Sequence, residues 1–349
     1  MATSGTYNFS NIDVAELLTD AYQRIGFPEE KLNAMHMISG RRSLNFLLTE
    51  WSSKNLNLWT VQQQIVSPVE NQNTYTLPSG TVDVIEVFLR VFNRPSGTAT
   101  STAGGTASYA FDGLLTTACT QTSSNGRIYL DYGADGSETI TMIGVRVAAD
   151  VTISLIFEYS EDASTWTTAY DAGSATYDSS ETTWYMISVP VGARYFSSRA
   201  YSGGTQNMTE LYFVTQLQDT KLGRISRSNY AAVSQKYQQG RPSAFMVNRL
   251  ISPTMNIYPA PDDAENTVLV YNRIRHMYDV SAATQTFDVP QRFLEAIASG
   301  VAAKLATKFA PERKAELMSD AAAAFAVAAA EDRDRAPFQV MPDMSGGPW

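Results

Sequence analysis

The stretch from Gly97 to Phe213 contains no lysine, and that absence most constrains what this chain can fold into. Its only basic residues are Arg127, Arg146, Arg194 and Arg199, set against twelve Asp and Glu. The window therefore carries a formal −8 of the −9 on the 349-residue chain. The flanks, 1–96 and 214–349, hold 22 basic and 23 acidic residues and are close to neutral. The same window is rich in Ser, Thr, Gly and Tyr with alternating apolar positions, which is the composition of an all-β module. Both flanks read as helices with a few strands. One domain is thus expected inside a loop of another. The fold class is α+β, a helical domain with a small antiparallel β part interrupted by an inserted β-sandwich. The expected division is 1–94 and 217–332 for the outer domain, 95–216 for the insert and 333–349 for an extended tail.

At this length two cores are the natural expectation. The single Cys119 excludes an intrachain disulfide and gives no sign of an oxidising compartment. The first residues lack the basic start and apolar run of a secretory signal, and no uninterrupted apolar run is long enough for a membrane span. Net negative charge argues against a protein that coats DNA by neutralising phosphates, while leaving open one that DNA slides past.

In the N-terminal flank, Asn11 and Asp13 offer N-cap oxygens to a helix whose apolar face is Val14, Leu17, Leu18, Ala21 and Ile25. Gly26 ends it, and Pro28 opens a second helix running to about Lys54 with Leu44, Leu47, Leu48 and Trp51 on one face. Arg41 and Arg42 read either as a solvated pair or as a contact to a partner's carboxylate or phosphate. Strands follow at 59–66, 74–77 and 82–90. In the C-terminal flank a helix is expected from Leu222 to about Gln238, then strands at 244–250, 255–258 and 267–274. Two final helices carry Phe293, Ile297, Val301 and Leu305, then Leu317, Ala321, Phe325 and Ala328. The alanine-rich last helix permits close approach of a neighbour, with Ala321, Ala324, Phe325 and Ala328 as the candidate subunit contact; ordinary intrachain packing is the alternative. Residues 333–349 have three prolines and no periodicity, yet carry Phe338, Val340, Met341 and Trp349, which suggests docking onto something else.

Arg42-Ser-Leu-Asn-Phe-Leu-Leu-Thr-Glu-Trp, Asn57-Leu-Trp-Thr-Val, Tyr75-Thr-Leu-Pro and Val82-Asp-Val-Ile-Glu-Val stand in the N-terminal flank. Leu222-Gly-Arg-Ile-Ser-Arg-Ser-Asn-Tyr, Gly240-Arg-Pro, Ile257-Tyr-Pro-Ala-Pro and Val289-Pro-Gln-Arg-Phe-Leu-Glu-Ala-Ile follow in the C-terminal flank. In order and spacing these resemble the head-completion adaptors of short-tailed phages, over most of 8–93 and 219–335. The resemblance implies a virion protein made in the host cytoplasm, a dodecameric ring at the head–tail interface. Its implied partners are the portal protein, a tail nozzle or tail fibre protein and its own copies, with packaged DNA passing through the channel unread. It also implies that Phe338, Val340, Met341 and Trp349 bind the portal.

Within the insert, Ser108-Tyr-Ala-Phe-Asp-Gly, Leu130-Asp-Tyr-Gly, Ile143-Gly-Val-Arg-Val, Phe157-Glu-Tyr-Ser-Glu-Asp, Thr165-Trp-Thr and Glu210-Leu-Tyr resemble the discoidin, or coagulation factor type C, fold. That resemblance implies an eight-stranded jelly roll of a kind common among carbohydrate- and lipid-binding modules. It also implies a structural calcium on Asp112, Thr117 and Glu210, hard oxygen donors suited to that ion. The alternative is that Asp112 only turns its loop and Glu210 lies on the surface. Leu114 and Cys119 depart from the family's pattern. Trp166 reads as packing on a sheet edge rather than sugar stacking, and Cys119 as a small buried apolar residue.

The two histidines, His36 and His276, fall in different elements without a nucleophile pattern. There is no phosphate-cradling glycine loop and no metal-binding Cys/His spacing, so the chain reads as not an enzyme. Three functional readings remain: a structural ring adaptor decorated with an outward β-sandwich, a carbohydrate-binding surface protein in which the insert is the working module and a glycan its ligand, or an enzyme whose site the sequence conceals.

Overall fold

The computed structural model describes residues 12–53, 58–134, 136–201, 204–262, 266–282 and 284–332. Helices α1 (Val14–Arg24) and α2 (Ala34–Ser52) lead into strands β1 (Val61–Val66), β2 (Thr74–Thr76) and β3 (Thr81–Phe92). The insert follows as β4 (Thr98–Ser101), β5 (Cys119–Thr120), β6 (Arg127–Asp131), β7 (Glu138–Val147) and β8 (Val151–Ser160). It continues as β9 (Thr167–Tyr177), β10 (Thr183–Ala193), β11 (Tyr195–Ala200) and β12 (Asn207–Val214). The chain then forms β13 (Leu217–Lys221), β14 (Gly223–Arg224), helix α3 (Arg227–Ala232), β15 (Ala244–Asn248), β16 (Thr254–Tyr258) and β17 (Thr267–Arg275). Helices α4 (Leu294–Phe309) and α5 (Lys314–Glu331) close it.

These elements form two compact units, one of 1–62, 80–82 and 274–349, the other of 63–79 and 83–273. The small β part therefore clusters with the insert rather than with the helices, unlike the division expected above.

In the helical unit Asp13 caps α1, its Oδ1 accepting from Glu16 N at 2.8 Å. Asn33 caps α2 in the same way, and its backbone N–H donates to the His36 ring in return. That cap starts α2 at Ala34. Pro28 instead opens a separate short 3₁₀ turn at Glu29–Lys31, so the expected single second helix is two elements. Helix α4 lies at the centre, with Ile297, Val301, Ala302, Leu305 and Ala306 all buried. A Cβ on Gly300 would meet Leu47 Cδ2 at 2.7 Å, so the glycine is what admits α2 this close.

The insert is a β-sandwich. One sheet has the order β4-β6-β11-β8-β9 and the other β10-β7-β12-β5, antiparallel at every pair. Nine strands stand among the described residues rather than eight, because the two-residue β5 adds to the second sheet. Alternation does the sorting: in β6, Ile128 and Leu130 face the core while Arg127, Tyr129 and Asp131 face away. Ile140, Val145, Leu155, Phe157, Phe196 and Leu211 fill the space between the sheets.

The base of this unit has two further sheets, β1-β17-β3-β13 and β14-β15-β16-β2. Arg90 and Asp219 are cross-strand partners on β3 and β13 and make a two-armed ion pair at 2.7 Å on each arm. The expected helix from Leu222 is only the six residues of α3. Gly223 and Arg224 at its expected start pair in parallel with β15 instead, and Ser226 caps α3, its Oγ accepting from Asn229 N at 3.1 Å. The outward face of the insert's second sheet is apolar and seats on the base: Met142 and Val214 are buried with Phe92, Val268 and Val270, flanked by Ile65, Trp184 and Tyr212. That seam explains why insert and base make one unit.

Candidate functional site

Glu210 on β12 is fully buried, not at the surface. Gly113 N donates to its Oε2 at 3.0 Å, and the Arg94 guanidinium pairs with its Oε1. The guanidinium also stands 4.3 Å above the Tyr212 ring. Burial pushes the Glu210 carboxyl up to about 7, with Arg94 and the Gly113 N–H pulling it back and Asp112 adding to the rise. Asp112 works locally, its two oxygens accepting from Leu114 N and the Thr117 hydroxyl, each at 2.8 Å. The loop-turning reading of Asp112 thus matches this geometry.

Calcium takes about six to eight oxygen donors. Here Glu210 already holds a guanidinium, while Asp112 and Thr117 satisfy each other. Among the described residues no group of three or more His, Cys, Asp or Glu converges. As placed, the donor set does not fit a calcium ion.

A second feature was not visible in the sequence. A cleft of about 860 Å³ opens in the β unit where residues 63–72 of the base meet the 180–186 segment of the insert. Trp184 forms its floor and is also shared with a neighbouring hollow of about 310 Å³. The indole is fixed on three sides. Its Nε1 donates to Ser67 Oγ at 3.0 Å, and its ring lies 5.0 Å from Tyr212 and 5.5 Å from Phe92. Trp184 lies opposite Gly144 on β7, where a Cβ would meet the ring at 2.6 Å, so the glycine lets the indole lie flat on the sheet. Around this floor stand Gln64, Gln72, Arg146, Glu181 and Thr183. Arg146 is steadied by donating to the Ser180 carbonyl at 3.0 Å. The arrangement is a rigid aromatic surface ringed by amide, carboxylate and guanidinium groups, which suits a ligand with C–H faces and many hydroxyls.

The other flagged residues are structural where described. Trp166 donates to the Ala163 carbonyl at 3.1 Å and packs on Tyr129 (ring centroids 5.5 Å apart) beneath the Arg127 guanidinium. Cys119 is fully buried, and burial pushes its thiol up. The His36 ring packs on Phe27 at 4.8 Å. Arg41 donates to the Ser281 carbonyl, whereas Arg42 is exposed.

Of the proposed subunit-contact residues, Ala328 is buried, and Ala321, Ala324 and Phe325 pack on the chain's own helical core. Phe325 meets Trp51 at 5.0 Å. The four therefore face inward. The outward face of α5 carries Met318, Ala322, Ala323, Ala326 and Val327. Phe338, Val340, Met341 and Trp349 lie outside the described residues.

No family model matches the chain, and no curated protein matches it. Among the solved structures similar to part of it are carbohydrate-binding modules. One from Clostridium perfringens, in complex with GalNAc-β-1,3-galactose, is 20% identical over 34% of this chain and 94% of its own, with a TM-score of 0.30. Chitosan-binding module 1 of a Paenibacillus sp. chitosanase/glucanase is 23% identical over 34% and 95%, TM-score 0.30. The family 32 module of C. perfringens NanJ, in complex with galactose, is 15% identical over 36% and 99%, TM-score 0.31.

Proposed function

We propose that this chain is a non-catalytic carbohydrate-binding protein whose β unit takes a glycan in the Trp184 cleft. The observation that carries the reading is the cleft's make-up: an indole locked in place by Ser67, Phe92, Tyr212 and Gly144, ringed by Gln64, Gln72, Arg146 and Glu181. Sugars offer a C–H face to an aromatic ring and vicinal hydroxyls to planar polar side chains, and both kinds of partner converge here. The discoidin-like motifs of the insert agree with it. A glycan array probed with the full chain tests the reading. Binding to a defined subset of glycans supports it, and a blank array across neutral, amino and acidic sugars rejects it.

The outward face of α5 favours a second, compatible reading for the helical unit. Met318 and Val327 are 54% and 68% exposed, at the two edges of a helix face whose middle carries Ser319, Ala323 and Ala326, while the opposite face already packs its own core. Together with the ordered motifs of the flanks this supports a ring-forming structural role, with the portal and neighbouring tail proteins of a virion as partners. Negative-stain imaging of the chain mixed with portal tests it. Closed rings support it, and monomers that stay unbound reject it.

A further inference from the structure

We infer that Arg94 serves as the built-in cation of the inserted sandwich, holding the Phe111–Thr117 loop against β12 without a divalent metal. Arg94 lies outside the insert proper, just beyond the end of β3, yet its guanidinium reaches the fully buried Glu210. Glu210 passes the contact on through its second oxygen to Gly113 N. One carboxylate thus ties three segments together: the crossing from the base, the loop and the last strand of the sandwich. The guanidinium is itself held by the Tyr212 ring beneath it, and its side chain is only 23% exposed. A divalent ion on Glu210 would sit beside this fixed positive charge, with Asp112 and Thr117 already engaged with each other. Arginine suits the role because its planar, permanently charged group matches a carboxylate and stacks on an aromatic ring.

The inference is tested on the full chain by thermal unfolding with millimolar CaCl2, with EDTA and with neither. The expected result is a single Tm common to all three. A Tm raised by calcium, with the rise lost in Glu210→Gln, overturns it. A second arm uses Arg94→Ala, which strands a buried carboxylate; Tm should fall by roughly 5–10 °C, with much of that fall recovered in Arg94→Ala/Glu210→Gln. Arg94→Ala with an unchanged Tm also overturns it. Should Arg94→Ala not fold, Arg94→Lys keeps the charge but loses the fork. It should fold with a lower Tm still indifferent to calcium, and a Tm that calcium raises in this variant counts against the inference.

Discussion

Phe92 and Leu217 stand opposite each other across the antiparallel β3–β13 pair, so the whole sandwich leaves and rejoins the base at one rung of a ladder. Asn93 continues the pairing, its N–H donating to the Gln216 carbonyl and its carbonyl accepting from Thr215 N, both at 3.1 Å. The insert is in effect the loop of a β-hairpin, which is why both its ends fall at one place.

Closure at one rung does not make the insert dispensable. Replacing 94–216 by a short Gly/Ser bridge would uncover Phe92, Val268 and Val270, now covered by Met142 and Val214. The shortened chain is expected to keep helical circular dichroism but to bind hydrophobic dye and aggregate. A monomeric, dye-negative product with a sharp unfolding transition would contradict the seam. Met142→Ala in the full chain should cost about 2–4 kcal/mol in urea unfolding.

Gly144→Ala should act on the cleft floor specifically. The added methyl would press into the Trp184 ring at 2.6 Å, and the indole must lift off β7 and release Ser67. We expect a red-shifted tryptophan emission and a weakened ligand response. Unchanged emission would mean that the glycine does not set the indole.

Acid stability should depend on Glu158. Burial pushes its carboxyl up, and the hydrogen bonds and charges of Arg199 and Arg127 more than offset this, leaving it below the ordinary 4.5. A lowered carboxylate stabilises the fold above its unfolded-state value, and that contribution is lost as pH falls through the folded-state value. Glu158→Gln should cost about 1–3 kcal/mol at neutral pH, since the arginines are a quarter exposed, and should flatten the acid limb of urea stability below about pH 4.5. An unaltered acid limb would show that the triad does not govern it.

The two faces of α5 are separable by mutation. Phe325→Ala removes a ring packed on Trp51 and Phe293 and should lower stability by about 2–4 kcal/mol. Val327→Glu, on the outward face, should leave stability within about 0.5 kcal/mol while reducing any self-association seen by light scattering. The reverse pattern would refute the assignment of faces.

Residue periodicity exposed much of this architecture. The lysine-free window marks the sandwich, and alternation in 127–131 matches β6, one face of which is buried, whereas β7 in the sandwich and β16 and β17 in the base hold runs of adjacent buried residues covered on both faces. Local propensity misled at 222–238, where Gly223 and Arg224 pair with β15 and the helix spans only Arg227–Ala232. It also misled on α5, whose near-uniform alanine content leaves no contrast to say which face turns inward. The cleft was not legible because its rim comes from segments far apart in sequence that only the hairpin-like insertion brings together. Arg94 was invisible for a related reason, since nothing near it in sequence announces the buried carboxylate it meets.

Equilibrium titration of rim variants decides whether the Trp184 cleft binds a glycan. With a glycan that binds the wild-type chain, intrinsic fluorescence or calorimetry should show Gln64→Ala and Glu181→Ala each weakening Kd by about tenfold or more, at unchanged Tm. Trp166→Ala, remote from the cleft lining, should leave Kd unaltered. Equal affinity for wild type and both rim variants, or a loss confined to Trp166→Ala, would place glycan binding outside the Trp184 cleft.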